Sequence, residues 1–422
     1  MLGTLDYRGA RLRFGVPQAD RLRHMAVIGA TGVGKSTLLE HLIVQDLEAG
    51  RGLALLDPHG TLVRAVLPRI PHHRQRDVAL LRPTDTAYPI ALNVFRPSGR
   101  PPADLGLLAA HIVALCKAQW ASSWGPRLEH VLRNAVLAVG EQSDATLVLL
   151  YRFLIDEGLR ERLGARVRDP VVRGFWTREF AGYSTSLKAD ALAPVQNKIG
   201  AFVSIPAVRA IVGQPRTRLR LGELIGNRSV FLADLAVGAI GADAANLLGG
   251  LLLLSLHYAA WERATSGRAS TPTTVYLDEY QNLVSGTLPT MLAESRKFGL
   301  GLVVANQYLA QVPESVRDAV LANAGTVVAF RVGPGDADVL APIFGPDITP
   351  ADLTALGPGR IAARVLAGGE ALPGIIGQTD PPSVAPPEVG SVERVIASSR
   401  SRFASKHSRA LAAAAHALRI KS

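Results

Sequence analysis

The sequence predicts an α/β fold: a mostly parallel sheet with an all-α insertion set between its strands. Three observations carry this. A glycine-rich loop of phosphate-binding pattern stands between an apolar β-prone run and a helical stretch. Short, fully apolar runs recur before residue 82 and again after residue 228, with helical segments between them. From Pro102 to Val212 the periodicity is helical.

The elements follow in order. Residues 1–20 read as a β-rich lead-in, with a hairpin suggested over Tyr7–Phe14. Met25–Ile28 is a strand, and a helix opens at Thr37–Ile43. Gly52–Asp57 is a second buried strand, closed by Pro58, His59 and Gly60. A strand–helix–strand unit of this length implies a parallel pair. Val78–Leu81 is a third strand. In the helical region, Leu128, Val131, Leu132, Ala135, Val136 and Val139 make one apolar face, with Pro126 where a first-turn proline is tolerated. Strands resume at Ser229–Asp234, Thr274–Asp278, Gly301–Asn306, Thr326–Arg331 and Arg360–Val365. A proline-rich linker follows, then a basic, helix-prone tail. These divisions place one part of an α/β core at 1–101, the helical insertion at 102–215, the rest of the core at 216–379, the linker at 380–388 and the tail at 389–422.

Composition narrows the function. The chain has 422 residues, 48% of them hydrophobic, which is ample for a large core. A single cysteine, Cys116, excludes an internal disulfide framework and a cysteine metal cage; its helical apolar setting makes it a core residue. The N-terminus shows no signal peptide, and the most apolar run, Ala244–Trp261, is broken by Asn246, two glycines and His257. We therefore expect a buried helix there, no intrinsic membrane span and a cytoplasmic location. Net charge is +11, and the segment Val389–Ser422 holds seven basic residues against one acid. That balance favours a polyanionic partner, with a tethered DNA-binding or docking helix as one use of the tail.

The chemistry starts at Gly29-Ala30-Thr31-Gly32-Val33-Gly34-Lys35-Ser36, followed by Thr37. The pattern is G-x-x-x-x-G-K-S, whose glycines let backbone N–H groups curl around anionic oxygens. Lys35 would sit on the β- and γ-phosphates of ATP, and the Ser36 hydroxyl on Mg²⁺. The strand ending in Asp278-Glu279 supplies the second half. Asp278 would hold Mg²⁺, and Glu279 would polarise the attacking water. The helical insertion accounts for the long gap between the two motifs. Gln307 ends the next apolar run, either as a γ-phosphate sensor or as a loop amide. A transfer site of this kind wants one more cation, often from a neighbouring subunit. Arg296 is the candidate, with Arg331 as runner-up, and either is also readable as a solvated surface arginine. Asp57-Pro58-His59-Gly60 either lines the site or only builds a turn. His59 has no partner at metal-ligand spacing, and His72-His73 reads as solvated loop.

Taken in order, these features resemble the HerA–FtsK superfamily, and within it the conjugative coupling ATPases of type IV secretion and their soluble helicase relatives. The residues that carry the resemblance are Arg23–Ser36, Leu55–Gly60, Trp124–Arg127, Asp278-Glu279, Arg296–Gly299, Asn306-Gln307, Leu321–Arg331 and Asp336–Asp338. The resemblance implies a RecA-like motor core, a hexameric ring and ATP-driven movement of DNA through its channel. It also implies Lys35 and Ser36 at the nucleotide, Asp278 at Mg²⁺, Glu279 as base, Gln307 as sensor and Arg296 acting on a neighbour. Membrane-anchored coupling proteins carry N-terminal spans that this sequence lacks, which favours a soluble DNA translocase or helicase. The alternatives are a coupling or packaging ATPase for a nucleoprotein or protein cargo, held at the membrane by a partner, and a DNA-binding scaffold with little turnover. Relaxase or secretion-channel proteins, or nucleases, are the partners these readings imply.

Overall fold

A computed structural model describes residues 1–7, 9–267, 271–283, 288–381 and 388–418. Most of the proline linker, along with Arg8, Arg419 and Lys421, lies outside the described residues. The strands are β1 (Gly3–Tyr7), β2 (Ala10–Phe14), β3 (Met25–Ile28), β4 (Gly52–Asp57), β5 (Val78–Leu81), β6 (Val230–Asp234), β7 (Thr273–Leu277), β8 (Leu300–Asn306), β9 (Thr326–Ala329), β10 (Arg360–Arg364), β11 (Leu366–Ala367), β12 (Glu370–Ala371) and β13 (Ile375–Thr379). Among the described residues, eleven of them form one sheet in the order β2-β1-β13-β10-β9-β3-β8-β7-β4-β6-β5.

The seven strands from β9 to β5 are all parallel. Both of their faces are covered, which is why they read as unbroken apolar runs. The expected parallel pairing of β3 with β4 is corrected. They run parallel, but β8 and β7 lie between them, so the chain leaves the sheet centre and fills the gap only after the helical region. The four strands on the other side are antiparallel; β10 is buried at its centre, β1 and β13 are partly covered and β2 is exposed. Of these, β13 was not anticipated, because Ile375–Thr379 mixes polar and apolar residues and its place between β1 and β10 depends on distant parts of the chain.

The helices are α1 (Lys35–Glu48), α2 (Thr61–Val66), α3 (Leu105–Gln119), α4 (Pro126–Gly140), α5 (Leu147–Ile155), α6 (Glu157–Ala165), α7 (Pro170–Gly174), α8 (Thr185–Ser204), α9 (Pro206–Val212), α10 (Leu221–Gly226), α11 (Val237–Ile240), α12 (Ala242–Thr265), α13 (Leu288–Glu294), α14 (Glu314–Asn323), α15 (Pro334–Phe344), α16 (Pro350–Ala355), α17 (Ser391–Phe403) and α18 (His407–Leu418). Local chemistry starts several of them. Asp104, Thr146, Asp156 and Ser184 each accept a backbone N–H in the first turn of α3, α5, α6 and α8. Pro126 occupies the first turn of α4, and the apolar face read from sequence is buried.

Two apolar clusters lie on opposite faces of the sheet. One takes its helical side from α1, α2 and part of α17. The other joins the opposite face to α12 and to the helices between α3 and α9 in one continuous core. Cys116 is buried in that core, and burial pushes its thiol up to about 12. The long helix α12 lies within it, as the sequence suggested. It is long and apolar enough to cross a bilayer, yet 89% of its most apolar window is buried. Close packing demands its glycines: a Cβ at Gly249 would stand 2.2 Å from Leu283 Cδ2, and one at Gly250 2.5 Å from Leu115 Cδ1.

The basic tail is folded onto the body. α17 lies beside the edge strand β5, where Leu80 N donates to Ser399 Oγ (2.9 Å), capping an edge that would otherwise be open. Arg400 forks onto Asp85 at 2.8 and 2.9 Å and lies over the Tyr88 ring. α18 continues onto α5 and α9, with Ala410 and Ala414 buried. Arg394 and Arg400 are thus engaged within the chain.

Candidate functional site

Parallel strands bring their carboxyl ends to one edge, and that edge gathers most of the candidate residues. The loop after β3 turns through Gly32 (φ 77°) and Gly34 (φ 116°), a left-handed region that disfavours a side chain. Gly29 is required for another reason: a Cβ there would stand 2.5 Å from Phe330 Cβ. Neighbouring strand ends hold the loop open. Gly29 N donates to Asn306 O, Ala30 N to Arg331 O, and Gly359 N to Val33 O. α1 begins at Lys35 with no side-chain cap, so its first N–H groups face the loop as an anion site. Ser36 is exposed at this start and Thr37 is half-buried. Lys35 is buried; its Nζ donates to Gly29 O (2.6 Å) and Ala30 O (3.0 Å). Burial lowers its pKa, and the charges of Glu279 and Asp278 oppose that.

Asp278 and Glu279 follow β7 on the same edge. Asp278 is buried, and its carboxyl is pushed up to about 7, first by burial, then by the charges of Asp57 and Glu279, with Lys35 pulling the other way. A carboxylate this short of counter-charge fits a hard divalent cation. Among the described residues no group of three acidic, His or Cys side chains forms a metal cage, so a cation here would complete its shell with phosphate oxygens and water.

Glu279 has φ 48°, a left-handed conformation that costs a residue with a side chain about 1 kcal/mol or more. Its carboxylate accepts from Gln307 Nε2 (3.0 Å) and, in a short hydrogen bond, from Gln281 Nε2. Gln307 Oε1 in turn accepts from Thr31 Oγ1 at 3.0 Å. A continuous chain therefore runs from the phosphate loop through Gln307 to Glu279. Gln311 steadies it, with Oε1 accepting from the backbone N–H of Gln307 and Tyr308. Sequence reading missed Gln281 and Gln311. The Asp278-Glu279-Tyr280-Gln281 spacing was visible, but the turn that folds Gln281 back onto Glu279 was not.

Asp57 builds the turn and also stands close enough to Asp278 for its charge to act there. It is fully buried and accepts four backbone N–H groups, from His59, Gly60, Leu62 and Val63, capping α2. His59 is exposed, as are His72 and His73. Gly60 is forced by its neighbour, since a Cβ would stand 2.1 Å from Asp234 Oδ1.

The two arginines separate. Arg331 is exposed just past β9, beside the loop that its own carbonyl supports. Arg296 is exposed on the single turn Ser295–Phe298 before β8. That is the opposite, amino edge of the sheet, about 16 Å from the phosphate loop along β3. It is not brought to the site of its own chain.

Residues 1–100 match the family model described as the central domain of helicase HerA. No curated protein matches the chain. Among solved structures, the plasmid coupling protein TrwB in complex with the ATP analogue ADPNP superposes with a TM-score of 0.64 at 16% identity, covering 88% of each chain. TrwB with ADP and Mg²⁺ gives 0.63 at 17% identity, covering 88% of this chain and 89% of that one. VirB4 of Thermoanaerobacter pseudethanolicus gives 0.55 at 15% identity, covering 85% and 89%. The first hundred residues are thus similar to the HerA central domain, and the chain as a whole has the fold of these P-loop proteins.

Proposed function

We propose that this chain is an ATP-driven DNA translocase or helicase that works as a ring, with Mg²⁺ at its nucleotide. The observation that carries hydrolysis is the Thr31–Gln307–Glu279 hydrogen-bond chain, which links the phosphate cradle to a candidate base. Coupling proteins of the same fold have been crystallised with ADP and Mg²⁺ and with an ATP analogue.

The loop N–H groups and the start of α1 bind the β- and γ-phosphates, and Lys35 turns from the loop carbonyls onto them. Bound Mg²⁺ would be held through Ser36 and Asp278 and would neutralise the phosphate oxygens. Gln307 orients a water in line with the γ-phosphorus. Glu279 takes its proton as the new P–O bond forms and the bond to the bridging oxygen of ADP breaks. Arg296, remote from its own loop, serves the nucleotide of the next subunit in the ring, which we take to be hexameric.

DNA as the track is supported by the net charge of +11 and by the HerA match. The deciding experiment measures ATP turnover with and without DNA, alongside the mass of the assembly with ATP bound. DNA-stimulated hydrolysis by a ring is expected, with DNA binding that weakens steeply as salt rises. Absence of hydrolysis under both conditions would sink the motor and leave the DNA-binding scaffold.

The likeness to TrwB and VirB4 favours one second reading, a coupling ATPase that moves a nucleoprotein or protein cargo while a separate chain anchors it at the cytoplasmic face of a membrane. Co-purification with relaxase or secretion-channel proteins, rather than nucleases or repair factors, would select it.

A further inference from the structure

His24 stands immediately before β3 and is buried, 5% exposed, with φ 60° and ψ 158°, a backbone region that residues other than glycine rarely adopt. Both ring nitrogens are bonded to backbone. Nε2 donates to Leu292 O at 2.8 Å, and Nδ1 accepts from Leu302 N at 3.0 Å. Only the neutral ring with its proton on Nε2 satisfies both bonds. Burial, above all, holds it neutral, with a pKa of about 4; the bond to Leu292 O works against this and the Arg296 charge adds to it. The two partners bracket the segment that carries Arg296. His24 O also accepts from Thr326 N, at the start of β9. A second ring supports the same turn: His257 Nδ1 lies 3.2 Å from Ser295 Oγ, next to Arg296. Five residues after His24 comes Gly29 of the phosphate loop.

We propose that His24 is the positioning residue for Arg296, pinning both ends of its segment to the start of β3. The phosphate-loop strand and the cation offered to the next subunit are then one rigid piece. A change at one nucleotide is carried along β3 to the arginine that faces another. This rests on the reading of Arg296 as a residue acting between subunits.

Subunit mixing with the full chain tests both layers separately. His24→Ala keeps its own phosphate loop but loosens the arginine it presents; Lys35→Ala has the reverse defect. Alone, His24→Ala should lose about tenfold to a hundredfold in kcat, with affinity for a fluorescent ADP analogue held within about twofold. His24→Asn keeps a side chain that can donate and accept hydrogen bonds, so it should recover part of the loss. If His24→Ala does not fold, His24→Asn takes its place in the mixtures.

In a 1:1 mixture of His24→Ala and Lys35→Ala, about a quarter of the interfaces join an intact loop to an intact arginine. Turnover should rise well above the halved value that dilution gives. The pair Arg296→Ala with Lys35→Ala should recover in the same way. Recovery by the Arg296 pair alone overturns the role of His24 and leaves the ring reading standing. Recovery by neither pair overturns the action of Arg296 between subunits, and this inference with it. Unchanged kcat, or a fall in nucleotide affinity as large as the fall in kcat, also overturns it.

Discussion

The two edges of the parallel sheet are built on opposite principles. At the carboxyl edge, open backbone and charge dominate: a glycine loop, an uncapped helix start, a crowded carboxylate and the left-handed Glu279. At the amino edge, His24 and His257 are neutral and buried, and the exposed Arg296, with Lys297 beside it, rests on the turn they hold. One edge is made to meet a polyanion and change with it. The other is made to hold a single arginine still. The same strands join them, so a state at one edge has a short path to the other.

The sharpest way to break the contrast is at the carboxyl edge. Lys35→Ala should abolish nucleotide binding, seen by fluorescence titration with an ADP analogue. Glu279→Gln should retain ATP while turnover falls by about 10²–10⁴. An equal loss of binding in Glu279→Gln would remove it from the role of base. The next effect separates the arginines. Arg296→Ala should lower kcat by about 10³ with nucleotide affinity unchanged, whereas Arg331→Ala, beside the cradle, should act on affinity. The reverse pattern would exchange their roles.

A smaller effect is thermodynamic. The folded pKa of Asp278 is raised to about 7. The protonated form is therefore favoured by folding, and that contribution is full below about pH 4 and lost as pH rises through 7. Asp278→Asn removes the buried charge. We expect the nucleotide-free protein to gain on the order of 2 kcal/mol at pH 8, about half the ceiling that a shift of this size sets, and almost nothing at pH 4. Denaturant titrations at the two pH values measure it; an equal gain at both would assign the change to packing. Least of all, Ser295→Ala should cost about 1 kcal/mol of stability and only a few-fold in kcat, because His24 still holds the segment.

Much of this was legible from local pattern. The phosphate loop, the Asp278-Glu279 strand end and the buried parallel strands each lie within a few consecutive residues, where glycine content and apolar runs report directly on conformation. What escaped depends on strand order. His24 meets Leu302 only because β8 lies beside β3, a pairing across 278 positions of sequence. Asp57 is open in sequence between lining the site and building a turn, because the four N–H groups it caps come from the turn after it. Gln307 is open in sequence between sensor and loop amide, because its contacts to Thr31 and Glu279 come from distant parts of the chain. The tail read as basic and helical, but its docking on β5 and α5 needed their faces to be known.

α12 has a consequence for how the chain is made. Its cover is drawn from both sides in sequence: Leu115 has been synthesised before it, whereas Leu283 follows it. As α12 leaves the ribosome, a 24-residue apolar helix stands with part of its shell still inside the exit tunnel. In that interval it presents to the targeting and chaperone machinery the same length and hydropathy as a membrane segment. A nascent chain arrested when α12 has just cleared the exit tunnel should therefore be held by chaperones or drawn to lipid, and one arrested once β7 and β8 have also emerged should be released.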